Sequence, residues 1–117
     1  MIFQEPNISV GIVEHVDELR GSFNGRFEVP TTVRLKGAFT VRSLHGRLVL
    51  YDDEGVEVMK GDDIQCRPLD GATFTLHGVT IGINFHWERK EDQTFEGAVR
   101  FAVTPEGSMT VINDIGV

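Results

Sequence analysis

The sequence predicts an all-β protein, a short-stranded antiparallel sandwich or partly open barrel with meander hairpins. Three observations predict it. Apolar residues alternate with polar ones in runs that recur every roughly 8 to 12 residues. Turn-forming residues separate those runs, and the chain carries 13 glycines in 117 residues. No stretch holds a sustained apolar period of about 3.6, the spacing a core-facing helix needs. The only helical candidate, Val13–Leu19, is short and lacks a capping residue.

In chain order the alternation places strands at Ile8–Val13, Glu18–Phe23, Phe27–Val29, Thr32–Leu35, Phe39–Leu44 and Arg47–Tyr51. Further strands follow at Val56–Met59, Asp63–Arg67, Thr73–Leu76, Val79–Trp87, Phe95–Thr104 and Met109–Ile112. No linker, repeat or low-complexity stretch divides them, so residues 1–117 read as a single β-domain. The Asn24-Gly25 pair suggests a hairpin. A three-residue loop, Asn24–Arg26, sets Phe23 opposite Phe27 and keeps the apolar set on one face, whereas a one-residue slip would flip it. Pro105-Glu106-Gly107 predicts a second three-residue loop, with Val103 facing Met109 and Phe101 facing Val111.

The longest alternating pair is Val79–Trp87 with Phe95–Val103. Both apolar sets share a face when Trp87 lies opposite Phe95 across a charged loop, Glu88–Thr94. With Met109–Ile112 these segments make an expected three-stranded unit.

Composition excludes several classes of function. Eleven basic residues are scattered among 18 acidic ones, for a net charge of −7. Phosphate backbones reward clustered Lys and Arg, so neither nucleic acid nor an anionic membrane surface is an expected partner. No apolar run approaches the roughly 20 residues of a membrane-spanning helix. Glu5, Pro6 and Asn7 interrupt any signal-like start at Met1. A lone cysteine, Cys66, can form no internal disulfide and no thiolate-rich zinc site.

Few residues carry a chemical pattern. His15, His45, His77 and His86 fall in no metal-binding spacing, and His45-Gly46 and His77-Gly78 read as surface turns. His86 and Glu88 share one strand face, a geometry that can hold a metal or relay a proton; an ordinary solvated face contains the same residues. Asp52-Asp53-Glu54-Gly55 and Gly61-Asp62-Asp63 do not meet the calcium-loop pattern and read as hairpin turns flanking Val56–Met59. Trp87 and Tyr51 can stack on sugar rings, though Trp87 falls on the apolar face of its strand and equally suits core packing. There is no GxSxG, Cys-His or phosphate-loop signature, and no motif calls for a cofactor.

The segment Val79-Thr80-Ile81-Gly82-Ile83-Asn84-Phe85-His86-Trp87-Glu88-Arg89-Lys90-Glu91-Asp92-Gln93, followed by Phe95-Glu96-Gly97, resembles the central hairpin of the SpoIID/LytB family. This family includes the stage II sporulation protein D and amidase-enhancer proteins of bacteria. Met109–Val117, Ile8–Ile12 and Phe23–Val29 are similar to further parts of the pattern, so the resemblance spans most of the chain.

It implies peptidoglycan remodelling in the cell envelope, with a parent resembling a lytic transglycosylase. In such an enzyme a glutamate protonates the glycosidic oxygen while a sugar hydroxyl closes on the anomeric carbon. The family's catalytic glutamate lies beyond the stretch matched here, so no catalytic residue and no metal ligand maps onto this chain. The resemblance leaves Trp87, His86, Glu88 and Arg89 as candidate glycan contacts.

The uncapped apolar ending Val111–Val117 reads as a cut just before the catalytic region. The expectation is a non-catalytic β-domain that scaffolds, and contacts, cell-wall glycan. The alternatives are a module that docks a cell-wall amidase, or an independent enzyme using His86 and Glu88. An exposed edge at Met109–Ile112 would also favour an edge-strand dimer.

Overall fold

The computed structural model describes residues 7–30, 34–81 and 89–116. Every regular element among them is a strand: β1 (Asn7–Val16), β2 (Glu18–Glu28), β3 (Arg34–Leu44), β4 (Arg47–Tyr51), β5 (Glu57–Gly61), β6 (Asp63–Pro68), β7 (Thr73–Ile81), β8 (Arg89–Glu96), β9 (Ala98–Val103) and β10 (Met109–Gly116). The pairing is antiparallel throughout and does not close into a barrel. The all-β expectation therefore holds, although β2 and β3, at 11 residues each, are longer than expected.

The sheet runs β1-β10-β9-β6-β2-β3-β4-β5 and forks at β2, so Met109–Ile112, expected as an exposed edge, is paired on both sides, by β1 and β9. One edge of β2 bonds to β3. Its other edge bonds to β7 over Arg20–Asn24 and then to β6 at Phe27 and Glu28. Strand β7 in turn carries β8.

The fork corrects the Asn24–Arg26 hairpin. Phe23 and Phe27 are both buried, as the face argument required, and their rings stack 4.6 Å apart. The chain nevertheless runs on as one strand. Phe23 pairs with Gly37 and Phe27 with Leu35, so β2 holds two more residues than β3 over this stretch, and the excess forms a bulge. Partners on both edges of β2 outweigh the local turn preference of Asn-Gly.

The hairpin of Val79–Trp87 with Phe95–Val103 is also corrected. Thr73–Ile81 is one strand with a register shift after Leu76, and its partner strand, Arg89–Glu96, takes in most of the expected loop Glu88–Thr94. Phe95 lies opposite Phe74, with ring centroids 5.3 Å apart, instead of opposite Trp87. The expected strand Phe95–Thr104 breaks at Gly97, which frees β9 to pair with β6 and β10.

Gly97 is required at that break. Its φ is +89°, and a Cβ there would sit 2.4 Å from the Asp114 carbonyl oxygen. Buried Asn113 clamps the corner by donating to the carbonyls of Glu96 (2.7 Å) and Ala98 (3.1 Å).

Local turns follow expectation more closely. Met109 pairs with Val103 and Val111 with Phe101 around Pro105–Gly107, in the predicted register. Asp52–Gly55 closes β4 onto β5, where the Asp52 carboxylate accepts from the Glu54 and Val56 amides. His45 and Gly46, with φ of 51° and 76°, form the two-residue turn between β3 and β4. Gly61–Asp63 differs: it is a corner, since β6 leaves β5 to pair with β9. The helical candidate Val13–Leu19 is strand, broken by a bend at Asp17.

The core is built from the inner faces of both halves. Phe23, Phe27, Phe39, Phe74 and Phe101 are buried with Leu19, Val41, Leu48, Leu50, Ile64, Cys66, Leu76, Val99, Met109 and Val111. Phe39 on β3 meets Phe101 on β9 edge to face at 5.9 Å, joining the two halves. The Phe39 ring also covers Gly21, its cross-strand partner, where a Cβ would approach to 2.5 Å.

Candidate functional site

Alternation along β2, β7 and β8 that sends phenylalanines inward sends a row of polar side chains outward. Ser22 and Asn24 stand beside Thr75 and Thr73 of β7, whose own partners on β8 are Thr94 and Glu96. The Asn24 amide donates to Thr73 Oγ1 (3.2 Å) and Thr75 Oγ1 (2.9 Å), and the hydroxyls of Thr75 and Thr94 share a bond of 2.7 Å. The result is an open band of hydroxyl and amide groups held in fixed directions by the sheet.

At the other end of the band lies His77. Its Nε2 is 3.0 Å from Ser22 Oγ, and its Nδ1 is 3.2 Å from Asp92 Oδ2. The second carboxylate oxygen of Asp92 accepts from the Gly78 backbone N–H at 2.9 Å. That amide bond, and then the bond from His77, hold the Asp92 carboxyl below the usual aspartate range.

A carboxylate can only accept, so Nδ1 carries a hydrogen, and whenever the ring is neutral Nε2 accepts from the Ser22 hydroxyl. The geometry comes from a one-residue bulge: Leu76 pairs with Gln93 but Val79 with Glu91, and the extra residue sets His77 and Gly78 toward Ser22 and Asp92.

Beyond Asn24 the band borders a cleft of about 340 Å³ between the β2 bulge and the β6–β7 turn, with Arg26, Lys36, Asp70 and Ala72 in its wall. Arg26 pairs with Asp70 at 2.6 Å, both well exposed. Among the described residues, no group of three or more His, Cys, Asp or Glu side chains is placed to hold a metal ion. Nor, among the described residues, is there a helix long and apolar enough to cross a membrane.

The glycan candidates Trp87, His86 and Glu88 lie outside the described residues, in the segment joining β7 to β8. Arg89 begins β8, paired with Ile81. Tyr51, the other stacking candidate, ends β4, two strands from β2, with the Arg42 guanidinium 5.7 Å from its ring centre. His77, expected as a surface turn residue, is exposed as expected but occupies a bulge and bonds to two other strands.

Sequence reading missed Ser22, Asn24, Thr75 and Asp92. The signal available was the polar phase of three alternating strands, which became a site once β7 was known to pair with both β2 and β8. Comparison of the chain with protein-family models, curated proteins and solved structures finds no match.

Proposed function

We propose that this chain is a β-domain of a SpoIID/LytB-like peptidoglycan-remodelling protein, one that scaffolds and contacts cell-wall glycan without cleaving it. The observation that carries this reading is the open polar band of Ser22, Asn24, Thr73, Thr75 and Thr94. Hydroxyl and amide groups fixed in direction suit the alternating donors and acceptors of an extended sugar polymer, and a flat face admits a strand of any length. In sequence, β7 leads directly into the segment that holds His86, Trp87 and Glu88. The resemblance of that same segment to the family supports the choice of glycan.

Co-sedimentation with purified glycan strands tests the reading. Binding is expected, weakened by Asn24→Ala and by Trp87→Ala, with no soluble glycan fragments released. Absence of binding, or release of fragments by this chain alone, overturns it. Capture of a cell-wall amidase in a parallel arm, without glycan binding, replaces it with the docking alternative.

A further inference from the structure

Ser22, His77 and Asp92 come from three different strands, yet they stand in the order nucleophile, base and orienting carboxylate. Each partner of the imidazole fixes the next. Gly78 N–H holds one oxygen of Asp92 and the other oxygen holds Nδ1–H, so that in the neutral ring Nε2 is the free base facing the Ser22 hydroxyl. Such a constellation is recognised by geometry and roles, whatever the chain order or fold.

We propose that Ser22, His77 and Asp92 form a hydrolytic relay acting on carboxylic esters presented at the open face of β2, β7 and β8. Ser22 Oγ attacks the ester carbonyl carbon while its proton passes to His77 Nε2. The carbon–oxygen bond to the alcohol breaks, and the departing alkoxide takes the proton from Nε2. Water then attacks the acyl-serine, gives a proton to Nε2, and the carboxylic acid leaves as Ser22 recovers its hydrogen.

Thr75 lies directly opposite Ser22, and its Oγ1 already accepts from Asn24. When Thr94 donates to it as well, the Thr75 hydroxyl hydrogen is left to meet the developing oxyanion.

Exposure sets the substrate class. The His77 and Asp92 side chains are 42% and 63% exposed, so water is not excluded and the oxyanion receives no low-dielectric assistance. Esters have barriers low enough for such a site; amides do not. An open face also places no limit on the size of the alcohol, so an acyl group carried on a polymer is accessible. The relay does not depend on the glycan reading, since a small ester tests it without any sugar.

The experiment treats the full chain with a fluorophosphonate probe and, separately, with p-nitrophenyl acetate. The expected results are a covalent adduct located at Ser22 by peptide mass, and ester turnover that falls about 100-fold in Ser22→Ala and in His77→Ala, the low end of general-base assistance. Asp92→Asn is expected to lower the rate about 10-fold or more, because the amide no longer holds the ring in the required tautomer. Labelling of the unmodified chain needs no variant, so misfolding of a variant cannot hide the outcome. No adduct at Ser22, or an adduct that forms at the same rate in His77→Ala, overturns the relay.

Discussion

Strands β2 and β7 show two faces made by the same short stretch of chain. Inward lie Leu19, Gly21 and Phe23 with Phe74 and Leu76; outward lie Arg20, Ser22 and Asn24 with Thr73, Thr75 and His77. The inner face is specified by volume: the Phe39 ring fits over Gly21 because no Cβ stands there. The outer face is specified by direction: Ser22, Asn24, Thr73, Thr75 and His77 each bond to a side chain on a neighbouring strand. Stability should therefore reside on the first face and chemistry on the second, and substitutions can separate them.

Phe74→Ala is expected to break the inner face hardest. Phe74 is fully buried and meets both Phe27 and Phe95, so its loss should cost about 3–5 kcal/mol in urea-unfolding stability. A cost below about 1 kcal/mol would mean the inner face is not the core.

Gly97→Ala is expected to cost about 3 kcal/mol, from strain at positive φ together with a collision against backbone. Asn113→Ala should follow at about 2 kcal/mol, because two part-buried carbonyls lose the donor that the buried amide supplies.

Cys66 tests the inner face by pH. Burial pushes its thiol up to about 12, while an unfolded thiol ionises near 8.5. A folded pKa above the unfolded one gives a contribution that is complete below about pH 8.5 and is lost as pH rises toward 12. Unfolding midpoints followed upward from pH 8 should fall, less steeply in Cys66→Ala, and iodoacetamide should not label the native thiol.

The smallest effect belongs outside. His77→Ala should change stability by less than about 0.5 kcal/mol, the range of surface substitutions. A larger loss would show that the outer face, too, holds the sheet together.

How much of this could be read in advance depends on how local each feature is. The register of β9 with β10 was legible because Pro105–Gly107 fixes it within a few residues. The in-phase burial of Phe23 and Phe27 was legible for the same reason, but the continuation of the strand through Asn24-Gly25 was not. That continuation depends on β6 and β7, whose paired residues lie 39 or more positions further along the chain. Phe95 was correctly placed as an apolar strand residue and given the wrong partner, since Trp87 and Phe74 satisfy the same alternation. The site suffered most. Ser22 and His77 are 55 residues apart, and nothing near either one in the sequence refers to the other.

The fork at β2 has a kinetic consequence. The β2–β3 pair can form early, since one short connection joins the two strands. The opposite edge of β2 must wait for β6 and β7, and Asn24 meets Thr73 and Thr75 across 49 and 51 residues. Closing loops of that length before any contact rewards them is the slow part of building a sheet, and it places folding in the roughly millisecond-to-second range of non-local β proteins. Until β6 and β7 arrive, the bulged edge of β2 stays open, and a folding chain is most exposed to pairing with another copy during that interval.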